Sequence, residues 1–146
     1  MEPLSVTASI LTLLGAGGRI ARALKKLSSL KSADVLYALS NEVEDLRLVI
    51  TEVDDLLQSA AETLHQQPPA SLERALERVK YALLELERYI AYELTIQHGE
   101  KARVDKSVYM RAEGKLQSIQ ESLRKHRQDL RSAIACFNLY KSPQHD

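Results

Sequence analysis

The side chains best suited to metal binding or nucleophilic chemistry in this chain are four histidines and one cysteine, and their spacing supports neither. His65, His98, His126 and His145 include no pair three or four residues apart, the separation that brings two ligands to one face of a helix. Cys136 has no second cysteine to pair with, which favours a reducing, intracellular setting. No His-Glu-x-x-His, no Ser-centred nucleophile motif and no Gly-x-x-x-x-Gly-Lys-Ser/Thr phosphate loop occurs. Neither catalysis nor a metal or cofactor is therefore expected. His126 lies within an apolar repeat and reads as a hydrogen-bonded core histidine, and Cys136 reads as a small core residue.

What the sequence does pattern is charge. The net charge of zero hides +4 over residues 1–33, −9 over 34–100 and +5 over 101–146. Two basic ends around an acidic middle suit charge pairing inside a bundle, and they disfavour a uniformly basic nucleic-acid binder. Glu42, Glu44 and Asp45, then Glu52, Asp54 and Asp55, read as a solvated face or, more sharply, as a docking surface for the basic stretch Arg19 to Lys31. Arg124, Lys125, Arg127 and Arg131 form a basic band that suits a membrane or a second subunit. It lacks the interleaved aromatics that stack bases, so nucleic acid is not an expected partner.

These groups must be positioned by helices. Neither Gly nor Pro occurs between Arg19 and Gln67, and Pro68-Pro69, Gly99 and Pro143 divide the remainder of the chain. Leu36, Leu39, Val43, Leu46, Ile50, Val53, Leu57, Ala60 and Leu64 alternate steps of three and four, which predicts a helix over about 33–65, capped by Ser32 and widened by Val35, Val49 and Leu56. Leu72, Leu76, Val79, Leu83, Leu86, Ile90 and Leu94 predict a second, ending at Gly99. The short Gln66–Ala70 link predicts that these two are antiparallel neighbours. Tyr109, Ala112, Leu116, Ile119, Leu123, His126, Leu130, Ala133 and Phe137 predict a helix running through Gly114. No period-two alternation of strand length is visible, and 146 residues at 45% hydrophobic content make one soluble domain over about 1–140, with 141–146 a polar tail or domain boundary.

The first 31 residues divide in two. Residues 3–18 are uncharged and include Leu4, Val6, Ile10, Leu11, Leu13 and Leu14, but they fall short of the roughly 20 residues that span a bilayer. Residues 19–31 interleave Arg19, Arg22, Lys25, Lys26 and Lys31 with Ile20, Ala23, Leu24, Leu27 and Leu30, an amphipathic basic helix suited to anionic headgroups. Gly15, Gly17 and Gly18 mark a hinge between the halves, each lowering helix propensity by about 1 kcal/mol relative to Ala. Glu2 at the start and a basic cluster on the far side argue against a cleaved signal peptide. The expected fold is all-α: a bundle of about four long antiparallel helices, the N-terminal one kinked or split.

The opening Met1-Glu2-Pro3-Leu4-Ser5-Val6-Thr7-Ala8-Ser9-Ile10, followed by Leu13-Leu14, resembles the start of the fungal HeLo-like N-terminal domains of STAND and NLR-type proteins. A weaker likeness covers Leu116, Leu123, His126-Arg127 and Leu130, where Tyr109 stands near the position of the family's tryptophan. The resemblance implies a cell-death or immune effector domain that rests in the cytoplasm, forms a homo-oligomer on activation and moves to a membrane. Its implied partners are an anionic membrane surface and a nucleotide-binding receptor region of the same longer protein. From the residues, the inserting side chains would be Leu4, Val6, Ile10, Leu11, Leu13 and Leu14, and the lipid contacts Arg19, Arg22, Lys25 and Lys26. The alternative is a non-enzymatic helical adaptor that signals through protein contacts alone, and heptad seams fit both.

Overall fold

A computed structural model describes residues 3–31, 34–63, 69–98, 101–104 and 106–141, and describes side chains over 9–27, 34–59, 69–92 and 112–138. Four helices dominate: α1 Pro3–Lys31, α2 Asp34–Thr63, α3 Ala70–Tyr89 and α4 Lys106–Lys141. The alternating three-four seams supply the core. Leu36, Leu39, Val43, Leu46, Ile50, Val53 and Leu57 of α2, Leu72, Leu76, Val79, Leu83 and Leu86 of α3, and Ala112, Leu116, Leu123, Leu130, Ala133 and Phe137 of α4 are all buried. Predicted members Ala60, Leu64, Leu94 and Tyr109, and the Ser32 cap, lie outside the described residues or side chains.

The helices are arranged as two α-hairpins laid side by side. α1 packs on α2 and on α3, and α4 packs on α2 and on α3, so α2 and α3 lie on a diagonal of the bundle. That corrects the expectation that they are neighbours: α2 and α3 lie across the bundle from each other. Ser40 meets Ala21 while Arg47 meets Gly17 and Gly18, so α1 and α2 run oppositely. Ser9 and Leu13 lie beside Lys80, and Arg19 meets Glu87, so α1 and α3 run in the same direction.

Two local departures stand out. α1 is one continuous helix through Gly15, Gly17 and Gly18 rather than an apolar helix over 1–18 split from a basic one over 19–31. The glycines cost about 3 kcal/mol together, whereas burying Ile10, Leu13, Ile20, Leu24 and Leu27 returns about 1.5–3 kcal/mol each, so burial wins. α3 does not run helically to Gly99. It opens with the Pro69 carbonyl accepting from the Leu72 and Glu73 amides at 3.1 and 3.2 Å, then widens into a π turn over Ile90–Leu94. A short antiparallel hairpin comes next, pairing Thr95–His98 with Lys101–Val104, an element that the hydropathy pattern did not announce.

Candidate functional site

The surface of α1 sorts the candidate residues by the helical repeat. Ile10 and Leu13 are buried at 0% and 3% exposure, and Leu14 is half-buried against the same core. Leu11 falls on the opposite face and is 60% exposed. Leu4 and Val6 lie outside the described side chains. Arg19, Arg22, Lys25 and Lys26 all lie on the exposed face that Leu11 begins. The sequence-predicted set is thus one helix with two surfaces, the apolar one turned inward.

The described side chains of α1, residues 9–27, are held by different contacts along the helix. In the second half Ile20, Ala21, Leu24 and Leu27 are buried, and the Ser40 hydroxyl of α2 donates to the Ala21 carbonyl at 3.2 Å. Arg19 adds an ion pair to Glu87 of α3 at 3.5 Å, worth little because both groups are well exposed. In the first half, among the described residues, the large fully buried side chains are Ile10 and Leu13. An open cleft of about 200 Å³, lined by Ser9, Thr12, Leu13 and Lys80, separates this half from α3.

Between the halves sits a contact that sequence reasoning missed. The Arg47 stem from α2 lies across Gly17 and Gly18, so close that a Cβ on Gly17 would stand 2.8 Å from Arg47 Cγ and 3.1 Å from Cδ. The Arg47 guanidinium turns to Glu44, with Nη1 3.1 Å from Oε2. The absence of side chains at 17 and 18 therefore lets α2 press on α1. Gly15 differs: it is exposed, and the nearest atom to a Cβ there is the end of Arg19 at 3.7 Å. No signal in the spacing of Arg47 could have shown this, because the contact joins two elements.

The acidic cluster of α2 has another partner than the one expected. Glu42 is buried, and Arg127 of α4 reaches it with Nε 2.9 Å from Oε1, while Arg124 Nε stands 3.9 Å from Oε2. Arg127 also approaches Asp45 at 3.9 Å. The short Arg127 contact is Coulombic rather than a directed hydrogen bond, since neither Nε nor Oε1 has a hydrogen-bond partner. Glu42 and Asp45 are thus engaged by the last helix. Half of the basic band is spent inside the protomer, leaving Lys125 and Arg131 exposed. Of the second acidic cluster, Asp54 accepts from Gln58 at 3.1 Å, and Glu52 and Asp55 face solvent.

The remaining candidates for chemistry are dispersed. Cys136 is exposed, which corrects its expected place in the core, because it follows the seam residue Ala133 by three but Phe137 takes the inward position. His126 is half-buried and stands 3.4 Å from Ser122 Oγ, with Nδ1 buried and unpaired. Among the described residues no group of His, Cys, Asp and Glu is placed to hold a metal ion. Nor is any helix among them long and apolar enough to cross a membrane.

No family model, curated protein or solved structure matches this chain.

Proposed function

We propose that this domain is a non-catalytic cell-death or immune effector that oligomerises and acts on anionic membranes through the first half of α1. The observation that carries the reading is the two-surfaced α1: Ile10 and Leu13 buried, Leu11 exposed, and Arg19, Arg22, Lys25 and Lys26 along the outer face. The resemblance of residues 1–14 to HeLo-like domains supports the same reading. In it, the domain rests in the cytoplasm, fused to a nucleotide-binding receptor region, and moves to the membrane on activation.

Magnitudes limit which part of α1 can leave. Extracting the described part of α1, residues 9–27, removes five large buried side chains, about 7–15 kcal/mol, comparable to the total stability of a domain. Among the described side chains, releasing the helix up to Leu14 exposes Ile10 and Leu13, about 3–6 kcal/mol, which transfer into lipid returns. Each basic side chain near an anionic surface adds about 1 kcal/mol. The apolar exchange alone lies near zero, so the bias supplied by the basic residues and by assembly decides the state.

The experiment is flotation with anionic liposomes, comparing the intact protein with Leu11→Glu. Leu11 is exposed, so the substitution leaves the bundle folded by circular dichroism, and loss of flotation supports the reading. Unchanged flotation refutes insertion through this face. A deletion of residues 1–18 is a poorer probe, because it also removes Ile10, Leu13 and Ala16 from the core.

The second reading, a helical adaptor that keeps α1 in place, is favoured by the exposed Tyr81 and Leu84 on α3. It expects Leu11→Glu to leave signalling intact and substitutions on α3 to abolish it.

A further inference from the structure

The outward face of α3 carries an apolar pattern that the bundle does not use. Tyr81 and Leu84 are 66% and 48% exposed, while Val79, Leu83 and Leu86 between and beyond them are buried. Glu77, Tyr81, Leu84 and Arg88 succeed one another at steps of four, three and four, the spacing of a coiled-coil seam on the solvent side of the helix. Arg78 and Glu85 flank this seam on one side, Lys80 and Glu87 on the other, and none of the eight is fully buried.

The order of the charges specifies an occupant. When α3 of a second copy is laid antiparallel on this face, about a two-fold axis level with the Ala82-Leu83 peptide bond, Tyr81 packs on the second copy's Leu84. Glu77 then faces the second copy's Arg88. On the flanks, equivalent heptad positions meet in an antiparallel pair, which sets Arg78 beside the second copy's Glu85 and Lys80 on the side of the second copy's Glu87, whose carboxylate also meets Arg19 of its own protomer. Every contact occurs twice by symmetry, and each of these charged contacts joins opposite signs. A parallel pair would instead set Glu77 on Glu77 and Arg88 on Arg88 within the seam.

We propose that α3 is a homodimerisation face that joins two copies antiparallel through Tyr81 and Leu84, with Glu77–Arg88 and Arg78–Glu85 pairs fixing the register. It rests on the assembly part of the proposed function and needs neither lipid nor release of α1. A contact confined to one helix per protomer lies at the small end of protein interfaces, which suits a weak, concentration-dependent dimer.

Sedimentation equilibrium without lipid tests it, using Arg78→Glu and Glu85→Arg separately and mixed. Each single variant sets like charges opposite each other twice, so self-association weakens by about tenfold or more. In an equimolar mixture the two altered residues meet each other with opposite charges at one contact and native Arg78 and Glu85 meet at the other, so dimers return with affinity near that of the unaltered protein. Leu84→Glu removes the apolar centre and abolishes dimers with helicity retained. The proposal is overturned by an unaltered protein that stays monomeric at about 1 mM, by single variants that associate as before, or by a mixture that remains monomeric. Because liposome flotation is a separate measurement on a different helix, failure here and failure of the membrane reading are distinguishable.

Discussion

Gly17 of α1 lies beneath Arg47 of α2, with room for a hydrogen but not for a methyl group: a Cβ there would come within 2.8 Å of Arg47 Cγ. The obstructing atom is in the stem of the arginine, whose far end is engaged by Glu44, so the side chain cannot simply swing aside. The contact sits at the middle of α1.

Gly17→Ala is therefore expected to destabilise the fold despite its gain in helix propensity. Overpacking costs about 1–3 kcal/mol against a propensity gain of about 1 kcal/mol, a net loss of up to about 2. Gly15→Ala and Gly114→Ala, with nothing closer than 3.7 Å and nothing within 4 Å respectively, gain the propensity term alone. Urea unfolding should thus separate the three, and Arg47→Ala combined with Gly17→Ala should recover most of the loss.

Removing Arg127 should cost more than neutralising its partner. Arg127→Ala leaves the Glu42 carboxylate buried with only the more distant Arg124, a loss of about 2–4 kcal/mol for a broken buried pair. Glu42→Gln keeps the shape and leaves two arginines that can turn toward solvent, for a loss of about 1 kcal/mol. Chemical denaturation of the two variants gives the order, and equal effects would contradict the asymmetry.

The seams of α2, α3 and α4 were legible in the sequence because burial in a bundle follows the 3.6-residue repeat, and Leu36 to Leu57 or Leu72 to Leu86 can be read one helix at a time. Relationships between helices were not. The diagonal placement of α2 and α3 depends on which face of each seam meets which neighbour, which a heptad does not encode. Glu42 looked like one of three acids on a solvated face, and only its pairing with Arg127 explains why it is inside. The glycines of α1 looked like a break because propensity is local, whereas Ile10, Leu13, Ile20, Leu24 and Leu27 outweigh it through tertiary contact. At the candidate site, the exposure of Arg19, Arg22, Lys25 and Lys26 was legible from amphipathicity, and the split of Leu11 from Ile10 and Leu13 follows from the same repeat.

Charge on α1 should set membrane affinity without setting stability. Arg22→Gln with Lys26→Gln removes two charges from the outer face, which at about 1 kcal/mol each weakens partition onto anionic vesicles by about 30-fold. Added salt should narrow the difference as it screens the headgroups. Thermal unfolding should move little, since both residues are exposed.

The most direct measurement of the central claim is dye release from anionic and from neutral liposomes by the intact protein and by Leu11→Glu, with oligomerisation forced by a fused dimeriser in both. The intact protein is expected to release dye from anionic liposomes and little from neutral ones, and the Leu11→Glu protein to lose release while its helicity persists. Equal release by both proteins, or none from anionic liposomes by the forced oligomer, would contradict it.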